Sequence, residues 1–556
     1  MEIKENTEQI EQTEKIEQNI VLYNYNDTQE DYQEFIQSEE IIYSGLIISE
    51  KYILLKRIAH GSNAAIWLVY SILDNKYLVM KIQYEHCYNN GCKEVNIIKK
   101  INNFIKENPN EDSHCINMLD YFIYDEGKVK FVCTVYPLFA GSLQSIINSG
   151  KYKYGLPIPF VKKAIKQILK GLANLHTKMG IIHVDIKPDN VLLEGVSNRH
   201  QQIIDLFEAT EFLKHYKLLK EELANNSIDE ESFYFKLESL ALDSVSGIRA
   251  LIEEDNCKED ASFDDDDEEE VYFSDGQYSS NDSNYSEDEY DNYMDSDEEC
   301  EEKDDSEAGS STKDKDKSNS DVKLSSFSNI LDEPEVYVRK QSVDDILDEL
   351  TDEVYDMEDV DNYDFYSARN HSNVPNYDPP VLDDKYIDNC RAVITDFGNS
   401  FPYNSRSKDE VQDRRYRCIE VTLGFNYGYA CDIWGVGCVA FELLTGYVMV
   451  EGQEAPLNSD IHQLYRLETM LGPIPLKMKK KSPRSEFLFD KKRDYTIRHV
   501  KEVNHYPLAD RLVDVFMFEH SDAVEIAEFI ELCMSYDPSK RPTALQLLNH
   551  PWLSDV

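Results

Sequence analysis

His183-Val184-Asp185-Ile186-Lys187-Pro188-Asp189-Asn190 runs into the apolar stretch Val191-Leu192-Leu193, and about two hundred residues later the chain reads Ile394-Thr395-Asp396-Phe397-Gly398. The first stretch sets a carboxylate, an ammonium and an amide within six positions. The second sets another carboxylate two residues before a glycine. A lone Asp is most often a turn or cap residue and a three-residue fragment is weak, whereas eight fixed positions running into an apolar stretch must all agree independently and so carry weight. More pieces lie to either side. Upstream, Tyr77-Leu78-Val79-Met80-Lys81-Ile82 is an apolar run with one Lys, which suits a buried strand. Glu94-Val95-Asn96-Ile97-Ile98-Lys99-Lys100-Ile101 has apolar helical spacing. Downstream come Glu420, the segment Asp432-Ile433-Trp434-Gly435-Val436-Gly437, and Arg541.

The chain of 556 residues has room for roughly two to four average domains. It shows no apolar run near the roughly eighteen residues of a membrane span, and no secretory pattern at Met1. Its 11 cysteines lack paired CxxC spacing, which fits a reducing compartment, cytoplasm or nucleus. The formal net charge of −50 is unevenly spread: residues 201–388 carry about −43 and residues 1–50 about −11, leaving the rest slightly basic. The acidity therefore describes a head and an insert.

Residues 1–40, rich in Glu, Gln and Asn, read as a disordered acidic segment. Residues 201–388 read as an acidic, largely disordered insert with some amphipathic helices. Helical patterns occur over 208–255 (Phe212, Tyr216, Leu218, Leu219, then Phe233, Phe235, Leu237, Leu240) and over 341–357. Between them, 255–330 is acid and serine, including the run Asp264 to Glu270, with too little apolar surface to fold. Serines before acids, as in Ser286-Glu287-Asp288-Glu289, are candidate regulatory phosphosites set against an inert linker.

In combination these motifs resemble the protein kinases. The likeness implies an α+β, bilobed eukaryotic protein-kinase fold with a small β-rich lobe and a large helical lobe. Its first part would span 52–200 and its second 389–556, with the long acidic insert between two strands that pair in kinases. The split itself, together with Gly180-Ile181-Ile182-His183-Val184-Asp185-Ile186-Lys187-Pro188-Asp189-Asn190-Val191-Leu192, resembles the SR-protein kinases, serine kinases of the splicing machinery in the group that includes cyclin-dependent and MAP kinases. Arg414-Arg415-Tyr416-Arg417-Cys418-Ile419-Glu420-Val421 is similar to that family's substrate-receiving segment, and His550-Pro551-Trp552-Leu553 to its closing motif. Val184 stands where most kinases carry the Arg that reads a phosphate on the activation loop, which implies activity without loop phosphorylation.

The resemblance assigns roles. Asp185 accepts the proton of the attacking hydroxyl, Lys187 neutralises charge on the phosphoryl group, and Asn190 and Asp396 hold Mg²⁺. Lys81 contacts the ATP phosphates and pairs with Glu94. Ile58, Ala59, Gly61, Ser62, Ala64 and Ile66 form the phosphate-covering loop and its flanks. Val79, Leu138 and Leu192 surround the adenine. Glu420 and Arg541 tie the activation segment to the large lobe. Arg414, Arg417, Asp460 and Glu468 touch substrate.

Two departures stand out. Of the glycine-rich pattern only Gly61 survives, Ala replacing glycine at 59 and 64, and this leaves open a kinase-like scaffold that works through partners bound to its insert. The family's acidic docking groove is also depleted, since Tyr447, Ile461 and Val515 stand where it has Asp, Asp and Lys. The expected protein is a monomeric serine/threonine kinase using ATP and Mg²⁺ on Arg/Ser-rich RNA-processing factors. Regulators would bind its insert, and it would touch neither nucleic acid nor membrane. A kinase of the same larger group with another substrate is the alternative. Removing about residues 205–385 is expected to leave a folded, active enzyme.

Overall fold

Six antiparallel strands open the described chain: β1 (Ile47–Ile48), β2 (Tyr52–His60), β3 (Ala64–Ser71), β4 (Lys76–Gln83), β5 (Asp120–Asp125) and β6 (Lys130–Pro137), in the order β1-β2-β3-β4-β6-β5. This computed structural model describes residues 40–61, 63–125, 129–262, 379–405, 411–450 and 459–554. Ser62, the acidic head up to residue 39, most of the 255–330 tract and the 341–357 helix expectation lie outside the described residues. Helix α1 (Tyr88–Glu107) packs against the sheet with Val95, Ile98 and Ile101 inward, as the apolar spacing predicts.

The larger lobe is helical. The short α2 (Leu143–Asn148) begins at Ser142, whose hydroxyl accepts from the Ser145 N–H. Helix α3 (Ile158–Asn174) buries most of its length and continues into a π turn, Leu175–Met179, closed by Gly180 at φ 64°. A three-stranded sheet forms from β7 (Phe139–Ser142), β9 (Val191–Glu194) and β10 (Ala392–Ile394), while β8 (Ile181–Ile182) pairs with β11 (Phe401–Pro402). Strands β9 and β10 flank the insert in sequence yet pair residue by residue, Val191 with Ile394 and Leu193 with Ala392.

The helices expected over 208–255 of the insert are present, and they begin earlier, at residue 198. Residues 198–262 form α4 (Asn198–Glu208), α5 (Phe212–Ala224), α6 (Glu230–Ser244) and α7 (Ser246–Ser262). Side chains of Ser197 and Asp229 cap α4 and α6. These helices share a buried cluster with the small lobe: Phe207, Phe212, Tyr216 and Phe233 join Ile53, Leu55, Leu68 and Tyr70. Along β4 the side chains of Tyr77, Val79 and Lys81 alternate onto one face, opposite Tyr70, Leu68 and Ile66 of β3. The face that carries Lys81 at one end therefore receives Phe207 and Phe212 at the other, with ring centroids 5.0 and 5.7 Å from Tyr70.

The large lobe is completed by α8 (Ala430–Thr445), α9 (Ser459–Leu471), α10 (Leu476–Lys481), the small hairpin of β12 (Phe489–Asp490) with β13 (Thr496–Ile497), and α11 (His520–Cys533). Every residue of α8 is buried, which is why that helix lacks a polar face. Among the described residues no helix is long and apolar enough to cross a membrane.

Candidate active site

Strand β4 delivers Lys81 and helix α1 delivers Glu94. The Lys81 ammonium lies 2.9 and 3.0 Å from the two Glu94 oxygens and 2.9 Å from Asp396 Oδ1. Burial disfavours its charge, but Glu94 and Asp396 outweigh that and hold the ammonium above the ordinary lysine range. In return the Lys81 charge holds Asp396 below the usual carboxylate range. Gln83, not singled out by sequence, donates to Glu94 Oε2 at 2.5 Å and shares that oxygen with Lys81.

The catalytic loop is held by α8. Asp432, wholly buried, accepts from the backbone N–H of His183 at 2.9 Å and of Val184 at 2.6 Å, and its Oδ2 lies 2.8 Å from His176 Nε2 in the π turn. Val184 needs this support because its φ is 77°, a region costly for a β-branched residue. His183 links the two halves of the split motif: its Nδ1 accepts from the Asp185 N–H, and its Nε2 lies 2.9 Å from the Thr395 carbonyl. The Thr395 N–H in turn donates to the Asn190 carbonyl at 2.9 Å. Asp396 sits at φ 61°, and Phe397 is buried with its ring edge-on to His183.

Asp185 is only 5% exposed. Its Oδ2 is 3.2 Å from Asn190 Nδ2 and 3.4 Å from Lys187 Nζ. Its Oδ1 is buried with no hydrogen-bond partner among the described residues. A carboxylate positioned by an amide and an ammonium, with one oxygen left over, is arranged to accept a proton or hydroxyl brought by another molecule. Asn190 carries an amide oxygen and Asp396 a carboxylate, the ligand types that suit a hard cation such as Mg²⁺. No group of three or more His, Cys, Asp or Glu converges among the described residues.

In the phosphate-covering loop the Gly61 N–H donates to the Ala64 carbonyl, and Asn63 is tied to Tyr84 and Cys87. None of its described residues has positive φ, so alanine at 59 and 64 carries no backbone penalty there. Val79, Leu192 and Ile66 are half-buried at the cleft end of the sheet and the β9 strand. Ile58 and Leu138 are also half-buried, but they pack against the cluster that contains the insert helices. Tyr136, opposite Val79, is a buried wall of this region that sequence reasoning missed. The near-continuous apolar run Phe131-Val132-Cys133-Thr134-Val135-Tyr136 is its sequence signal.

The receiving segment is anchored by Arg541, which grips Glu420 through two bonds of 2.8 and 2.7 Å and stacks over Trp434 at 4.9 Å. The substrate-contact assignments fare differently. Arg414 is half-exposed, but Arg417 is turned inward, donating to the carbonyls of Val411 and Gln412. Asp460 is buried and paired with Arg484 at 2.8 Å, and Glu468 is buried and paired with Lys479 at 2.7 Å. Both acids are thus consumed inside the lobe and are not presented to a peptide, a correction to their expected role. The Lys and Arg that neutralise them come from α10 and the turn after it.

The protein kinase domain family matches residues 52–228 and 385–553. The chain belongs to the protein kinase family. The match reaches residue 228, so α4 and α5 fall within it. A protein of Acanthamoeba polyphaga mimivirus named as a serine/threonine-protein kinase is 40% identical over 544 residues, 96% of this chain and 93% of the relative. Serine/threonine-protein kinase SKY1 of Saccharomyces cerevisiae is 24% identical, over 91% of this chain and 74% of its own length. Human SRSF protein kinase 3 is 23% identical, over 92% and 87%. The kinase is a serine/threonine protein kinase, and these relatives bear out the resemblance to SR-protein kinases.

Proposed function

We propose that this kinase transfers the γ-phosphoryl group of ATP to serine in Arg/Ser-rich RNA-processing proteins, with Asp185 as the group that receives the hydroxyl proton. The observation that carries the chemistry is the unpartnered, buried Asp185 Oδ1 beside Asn190 and Lys187. Lys187, 3.4 Å from Asp185, would meet the charge of the transferring phosphoryl group. Lys81 takes the nucleotide phosphates, and Glu94 keeps its ammonium in place. Asn190 and Asp396 would hold Mg²⁺, which supplies charge neutralisation between the phosphates when bound. Ile58, Val79, Leu138 and Leu192 would enclose the base.

The substrate class rests on human SRSF protein kinase 3, whose name gives SRSF proteins as its targets, and on the split catalytic motifs. Cytoplasm or nucleus fits that class. The acidic insert is offered to regulators, and the enzyme acts as a monomer. Purified protein incubated with Mg·ATP and an arrayed peptide library tests the reading. Incorporation into serines flanked by Arg is expected, and Asp185→Asn should abolish it. Selection for proline or acids beside the serine would overturn the substrate class alone. Full activity in Asp185→Asn would overturn the site.

A further inference from the structure

One surface of this acidic chain is strongly basic. Residues 476–501 hold ten Lys or Arg against three acids, in a protein of net charge −50. They form α10, the turn after it and the β12–β13 hairpin. Lys477, Lys480 and Lys492 are exposed, and Lys480 lies over the Tyr495 ring at 5.2 Å. The acids within the stretch are already used in part. Glu486 pairs with Lys491 at 2.6 Å, and Asp490 accepts from the Lys492 N–H.

Two further observations give the patch a direction. First, its inward-facing members cancel the acids that would have attracted an Arg-rich peptide: Lys479 neutralises Glu468 and Arg484 neutralises Asp460. The region that neutralises these two α9 acids thus also displays Lys477, Lys480 and Lys492 to solvent. Second, the turn after α10 is bolted to the end of the receiving segment. Arg484 donates to the Thr422 carbonyl at 2.7 Å and Ser482 to the Leu423 carbonyl at 2.8 Å, two and three residues beyond Glu420. A chain docked on the lysines would thus lie close to the serine being phosphorylated.

We infer that the α10–β13 face is a docking surface for an Asp/Glu-rich stretch of the protein substrate, separate in sequence from the phosphorylated serine. The inference rests on the kinase reading and adds a second recognition element to it. Binding of this kind raises the local concentration of substrate and lowers KM without touching the chemical step. It weakens as salt screens the exposed charges.

The test uses the full chain and three peptides sharing one short Arg-Ser acceptor: without a tail, with a Glu/Gly tail, and with a Gln/Gly tail. At low salt the Glu/Gly peptide should show a KM several-fold below the other two, with kcat unchanged. In a Lys477→Glu, Lys480→Glu, Lys492→Glu variant that advantage should vanish, while the tailless peptide keeps its kcat and KM. Equal KM values for the three peptides in the parent, or an advantage that survives in the variant, overturns the inference. Fluorescence anisotropy of the labelled Glu/Gly tail reads docking without turnover. Loss of binding in the variant supports the surface even if no peptide is phosphorylated, and that failure would then fall on the kinase reading. A labelled single-stranded RNA that binds the parent, loses affinity in the variant and is not displaced by the Glu/Gly tail would overturn the peptide assignment in favour of nucleic acid.

Discussion

Phe207→Ala in α4 would show whether the start of the insert is part of the kinase body. Phe207 is 2% exposed, and its ring centroid lies 5.0 Å from Tyr70, 6.3 Å from Tyr77 and 5.3 Å from Phe212. Truncation removes a large apolar side chain and leaves a cavity between α4 and strands β3 and β4. Buried Phe→Ala changes cost about 3–5 kcal/mol, within which each lost aromatic pair accounts for about 0.5–1.5 kcal/mol. For a cooperative unit of this size roughly 2–4 °C is lost per kcal/mol, so the melting midpoint should fall by roughly 10 °C. The cavity adjoins the cluster that holds Ile58 and Leu138, so KM for ATP should rise while the peptide KM changes little. Leu218→Ala, at a residue 51% exposed, is the control and should be near neutral. Differential scanning fluorimetry and initial rates over an ATP series measure both effects. A Phe207→Ala protein with the parent's midpoint and ATP KM would refute the reasoning and restore the expectation that residues 205–385 can be removed freely. As the helices stand, that deletion should yield a damaged small lobe.

Asp185→Asn should lower kcat by at least about a hundredfold and leave nucleotide affinity near the parent's, which calorimetric titration with a nonhydrolysable ATP analogue would check. Asp432→Asn replaces an acceptor of two backbone bonds beside the strained Val184, so it should cost about 2–4 kcal/mol of stability and slow turnover with Mg·ATP affinity largely kept; an unchanged midpoint would show that the loop does not depend on α8. Burial pushes the Glu442 carboxyl, which accepts from Tyr416 at 2.6 Å, up to about 7. A raised acid favours the fold below its unfolded value and loses that contribution as pH rises through the folded one. Glu442→Gln should therefore gain stability relative to the parent on going from pH 6 to pH 8, and parallel melting curves across that range would contradict the assignment.

Much of this protein could be read from local sequence because its chemistry is local. The polar residues of 183–190, the carboxylate of Asp396, and the apolar strand and helix around Lys81 and Glu94 are each constrained by immediate neighbours, through loop geometry or through period-two and period-3.6 alternation. The pairing of β9 with β10 across the insert also followed, since the two halves of the motif must meet for Asp185 and Asp396 to act together. Tertiary structure alone decided three matters. It sent Arg417 inward and spent Asp460 and Glu468 on Arg484 and Lys479, because whether a charge faces solvent depends on what other segments bring against it. It showed that alanine is acceptable at 59 and 64, because the described residues of that loop have no positive φ. And it folded residues 198–252 onto the small lobe. Their amphipathic pattern announced helices, but a stripe of Phe and Leu does not name its partner. Tyr70 and Tyr77, more than a hundred residues earlier, complete that cluster only once the sheet has formed.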